Sequence, residues 1–142
     1  MTRPIEAKVV AQMHRVVALI YAVPGIGWAV ATLAVLLYHH ERGELPMTPF
    51  GWRLLGGPYP EIGTDRLTPL GQALAWLLIA VSIVDILVGR WLWQGRRRGA
   101  VLALVMAPVS LALGGLFALP YLIVMAPLRA IAVVVARRDL RR

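Results

Sequence analysis

The stretch TPLGQALAWLLIAVSIVDILVGRWLW, residues 68–93, decides the class of this fold. It opens with Thr68 as a helix N-cap and Pro69 at the first helical position, where a missing N–H costs nothing. An apolar run follows to about Leu92, long enough at 1.5 Å per residue for a hydrocarbon core of roughly 30 Å. Trp91 and Trp93 stand where an aromatic belt belongs. A helix this apolar on all sides has lipid as its natural solvent, and within it lies one acid, Asp85.

Three further runs resemble the first in character. Residues 16–38 form one span, with Pro24, Gly25 and Gly27 inside it, as membrane helices tolerate. Residues 99–117 form another around Pro108, and residues 120–136 a last one that begins on a second N-terminal proline. The reading is an all-α integral membrane protein, one domain over residues 1–142, with four transmembrane helices in an up-down-up-down bundle. The short 117–120 connection predicts a tight antiparallel hairpin.

Composition agrees. Of 142 residues, 59% are hydrophobic and 15% charged, and mean hydropathy is +0.71, outside the range of ordinary soluble domains. A net charge of +8 would suit nucleic acid if the bases shared one solvated surface. They sit at the ends of apolar runs instead, so no nucleic-acid partner is expected. The absence of cysteine excludes disulfides and thiolate metal sites. Ala29-Val30-Ala31 resembles a signal-cleavage motif, but the run before it is too long for a signal core, which predicts a retained anchor in the cytoplasmic membrane.

Arginine placement sets the expected orientation. Arg3, Lys8 and Arg15, then Arg90 and Arg96 to Arg98, then Arg137, Arg138, Arg141 and Arg142 all fall at one side of the threading. The 39–67 connection carries Glu41, Glu44, Glu61 and Asp65 against Arg42, Arg53 and Arg66. Both termini are therefore expected to be cytoplasmic, with 39–67 as the extracytoplasmic loop. Thr48-Pro49 ahead of Gly56-Gly57 predicts a short helix from Pro49 to Leu55, with Phe50, Trp52 and Tyr59 at the outer membrane interface. Its likeness to Thr68-Pro69-Leu70-Gly71 reads as shared capping chemistry rather than a duplicated unit.

The candidate site is the intramembrane charge pair. Asp85 lies about 24 Å down the second helix and Arg129 about 13–14 Å down the fourth. An arginine snorkelling towards the cytoplasm would meet the acid if those helices are neighbours. Arg15 is a rival partner. The pair could fix helix packing, gate a proton or ion, or meet a partner subunit. Helix packing is expected at small residues four apart: Gly25 with Ala29, Gly27 with Ala31, Ala103 with Ala107, and Ser110 with Gly114. Trp28 and Trp76 are expected in one core layer.

Other chemistry is poorly supported. His14 and His39 stand about 37 Å apart on one helix, so they cannot share a haem, and no cofactor is expected. His39, His40, Glu41 and Glu44 read as a solvated helix end before a metal site. Ser82 and Ser110 lack a histidine at their depth to activate them. The leading expectation is a non-enzymatic accessory subunit whose partners are the lipid bilayer and other membrane proteins, or copies of itself. A small oligomeric transporter or channel built on Asp85 and Arg129 is one alternative. A lipid-binding protein, with inner arginines on anionic headgroups, is the other.

Overall fold

Cap residues set the ends of the helices. The computed structural model describes residues 4–47, 49, 53–56 and 66–136, with side chains from Met13 onward. Four helices occupy most of this: α1 (Pro4–Arg42), α2 (Pro69–Trp93), α3 (Arg97–Leu116) and α4 (Pro120–Ala136). Among the described residues there is no strand, only an isolated bridge between Met47 and Arg53. The regular secondary structure of the described residues is all helical. α1 outruns the expected span at both ends and continues through Pro24.

At the start of α2, Thr68 Oγ1 accepts from the Gly71 N–H at 3.1 Å, satisfying one of the amides that a helix start leaves unpaired. α2 ends on Gly95, φ +69°, whose N–H donates to Leu92 O at 2.9 Å while Arg96 N–H donates to Trp91 O at 2.9 Å. This is a Schellman closure, which needs a left-handed residue and favours glycine there. α3 ends the same way, with Ala118 N–H on Gly115 O at 3.2 Å and Leu119 N–H on Gly114 O at 2.8 Å. Here the left-handed residue is Ala118, φ +49°. A Cβ in that region costs about 1–2 kcal/mol, part of it regained through a stiffer unfolded chain. Ala118→Gly should therefore stabilise the protein by about 0.5–1 kcal/mol in reversible denaturation in detergent. A loss of stability would show that this corner is not strained.

Helix contacts run in chain order around a ring, α1 to α2 to α3 to α4 and back to α1. α1 and α2 are antiparallel: Gly89 abuts Ala18 and Ala22 at one end, and Gly25 abuts Ser82 and Asp85 further along. The contact stripe of α2 is Gly71, Ala75, Leu78, Ser82, Asp85, Gly89 and Leu92, all buried. On α4 it is Leu122, Ala126, Arg129, Val133 and Ala136. Both step by four and then three residues, the repeat that keeps one face of a helix on its neighbours.

Large aliphatic side chains point outward. Val16, Leu19, Val23, Ile26, Val30, Leu33 and Leu37 of α1 are exposed, as are Ile83 and Leu87 of α2 and Val124, Leu128 and Ile131 of α4. The core contains small residues and the buried polar groups Thr32, Ser82, Asp85, Ser110 and Arg129. Water would penalise such a surface heavily. α1 from Met13 to Arg42, α2 and α3 are each long and apolar enough to cross a bilayer; α4 is apolar but has 17 residues.

The described part of the loop differs from expectation. The antiparallel Met47–Arg53 bridge and the bond from Leu54 N–H to Pro46 O at 3.1 Å fold the chain back on itself. Arg53 to Leu55, at the end of the expected Pro49–Leu55 helix, form a bridge and a turn instead, while Thr48 and residues 50–52 lie outside the described residues. Leu45 and Leu55 sink into the core beside Val35, Leu36 and Phe117, and Arg53 Nη1 donates to Leu45 O at 2.9 Å. His39 Nε2 accepts from the Leu67 N–H at 3.1 Å, tying the loop's far end to α1. Phe50, Trp52 and Tyr59, expected at the interface, lie outside the described residues.

Candidate functional site

The buried core falls into two apolar clusters. One gathers Val35, Leu36, Leu78, Val81, Leu113 and Leu122 beneath the loop. The other gathers Val17, Ala18, Val88, Leu92, Ala100 and Val133 towards the α2–α3 turn. Asp85 lies between Val81 and Val88, and Arg129 between Leu122 and Val133, so a charged layer separates the clusters.

Arg129 Nη1 donates to Asp85 Oδ2 at 2.9 Å. The residues are 3% and 6% exposed respectively, so water does not screen the pair from the side. The two helices are not ring neighbours, contrary to the condition set on the sequence. Arginine's length lets the pair cross the middle of the ring. Gly25 of α1 packs against the base of Asp85, where a Cβ would stand 3.2 Å from Asp85 Cβ and 3.0 Å from Ser82 O.

The direction of Arg129 also departs from expectation. It does not run towards the C-terminal end of α4. Its Nη2 donates to Tyr121 Oη at 3.4 Å, two turns back along the same helix. Helical side chains lean towards the N-terminus, so this is the shorter reach. The guanidinium lies over the Tyr21 ring at 5.1 Å and the Tyr121 ring at 5.8 Å, both within cation–π range. Tyr21 and Tyr121 were not anticipated as parts of the site. Tyr121 stands eight residues before Arg129, so two-turn spacing along α4 was the available signal.

Beside the pair is a cavity of about 10 Å³, bordered by Tyr21, Met106 and Ser110, room for about one water molecule. Arg129 Nε makes no hydrogen bond to the described protein. Ser82 Oγ donates to Leu78 O at 2.8 Å, its own helix backbone. The chemistry on offer is charge neutralisation and geometric locking.

Other expected residues fall apart from this layer. Arg15 lies 5.6 Å over the Trp93 ring and is exposed, so it is not the partner of Asp85. Trp28 meets Tyr121, ring centres 6.1 Å apart, while Trp76 faces outward at 52% exposure; the two do not share a core layer. Ala103, Ser110 and Gly114 are buried and Ala107 half-buried. Gly27 and Ala31 are exposed, and nothing lies within 4 Å of a Cβ built at Gly27. The expected packing of that pair is absent among the described residues because the stripe of α1 that meets α2 runs through Gly25. Gly89, missed on the sequence, leaves less room between α1 and α2 than Gly25 does, its added Cβ falling 2.8 Å from Ala18 O. Among the described residues, no three His, Asp or Glu side chains gather as a metal site.

The chain matches no protein-family model, no curated protein and no solved structure.

Proposed function

We propose that the chain is a four-span protein of the cytoplasmic membrane, both termini inside, that serves as a non-enzymatic accessory subunit alongside other membrane proteins. The observation that carries this reading is the Asp85–Arg129 layer: its charges are spent on each other and on tyrosine rings inside the bundle. A charge at mid-membrane costs about 2.5–3.5 kcal/mol on insertion scales, and mutual pairing offsets it. What the protein presents outward is aliphatic surface, including the small pair Gly27 and Ala31 on α1, against which another helix can approach closely.

Extraction from native membranes in mild detergent should yield the chain within a larger complex; migration alone would count against the subunit role. Orientation has a separate test, because the chain has no cysteine. A single cysteine replacing exposed Gln94 should react only from the cytoplasmic side, and one replacing exposed Glu41 only from outside. The reverse pattern would invert the threading.

A further inference from the structure

We infer that the α2–α3 turn holds an anionic phospholipid of the surrounding leaflet, with its phosphate on Arg97 and Arg98 and one acyl chain along α3. An open groove of about 640 Å³ runs down the outside of α3. Arg97 and Arg98 stand at its head, Val101, Leu102 and Val105 line its length, and Trp91 of α2 forms the facing wall. Arg97, Val101 and Val105 recur every four residues, so a charged turn is followed on the same face by two aliphatic turns. That order, cation and then hydrocarbon, complements a phospholipid from phosphate to chain.

Among the described residues, no acid pairs with the charge at the head of the groove. Arg97 and Arg98 are exposed, and the first turn of α3 has no acidic residue and no side-chain cap on its amides. Arginine is suited to phosphate because its fork donates two parallel hydrogen bonds. Val101 and Val105 are 57% and 61% exposed, so an acyl chain laid there covers apolar surface that a round-bodied bundle leaves open. Trp91 is half-buried beside the arginines, and indoles favour the headgroup level of a bilayer. This inference rests on the membrane reading above and is independent of the accessory role.

The test uses the full chain purified in detergent, with phosphatidylglycerol or phosphatidylcholine added and bound lipid counted by native mass spectrometry. The wild-type chain should retain one phosphatidylglycerol and prefer it over phosphatidylcholine by about tenfold or more, the scale expected for two arginines at a membrane surface. Arg97→Gln with Arg98→Gln should abolish that preference without unfolding the protein, both side chains being exposed. Val101→Trp should lower retention of both lipids by filling the groove. Arg42→Gln with Arg66→Gln, at the other end of the bundle, should change neither. Equal retention by wild type and the Arg97/Arg98 variant would overturn the inference while leaving the membrane reading intact. Release of the wild-type chain from vesicles by an alkaline wash would overturn both.

Discussion

Arg129→Gln should destabilise the protein by about 3–5 kcal/mol, because it strands Asp85 inside the bundle without its counter-charge. Arg129 supplies the hydrogen bond to Asp85 from across the ring, and Asp85 is only 6% exposed. Asp85→Asn should cost less, since Arg129 keeps the Tyr21 and Tyr121 rings and gains an amide oxygen as acceptor. The double variant, Asp85→Asn with Arg129→Gln, should recover at least half of the loss from Arg129→Gln. Removing both charges together abolishes the uncompensated one, whereas removing one creates it. Reversible denaturation in mixed detergent measures all three. An Arg129→Gln loss below about 1 kcal/mol, the range of a solvated surface pair, would show that the pair does not lock the bundle. Stable variants with altered ion flux would favour the transporter reading instead.

Gly89→Val should prevent α1 and α2 from closing. A Cβ at this position would stand 2.8 Å from both Ala18 O and Ala22 Cβ, and 3.0 Å from Ala22 N. Two of those atoms are backbone and cannot rotate away, so the helices must separate. Overpacking in a tight core costs about 1–3 kcal/mol or more, and the separation also pulls Gly25 from the face of Asp85. Loss of folded protein after detergent extraction is the expected result. Gly27→Ala supplies the contrast: with open space at that position, its effect should stay within about 0.5 kcal/mol. If the two substitutions behave alike, the α1–α2 contact does not run through Gly25 and Gly89.

Much of the architecture was legible in the residues. Pro69 and Pro120 mark helix starts because a proline at the first position gives up only an N–H that has no partner within the helix, and α2 and α4 begin on them. The loop was less legible. Its capping signal is local, whereas the burial of Leu45 and Leu55 against Phe117 depends on residues far along the chain. The charge pair was visible as two charges in apolar runs, but its geometry was not. Scoring small residues four apart on α1 and α3 missed the alternating four-and-three stripes of α2 and α4. Asp85 and Arg129 occupy those stripes in register with Gly89 and Ala126, which would have aimed both side chains inward. The outward turn of Gly27 had no such signal, since Gly25 and Gly27 are equally small and two residues apart.

The bond across the ring joins residues 44 positions apart, one in the second helix and one in the last. A ribosome delivers them in that order. On the four-span reading, the acid would enter a bilayer with Tyr21 of α1 but without its cation, carrying an insertion penalty of about 2.5–3.5 kcal/mol until the final helix follows. In the four-span arrangement proposed above, the nascent protein would be held loose until its last segment is threaded, and that segment, the shortest of the four, would act as the bolt that ends assembly.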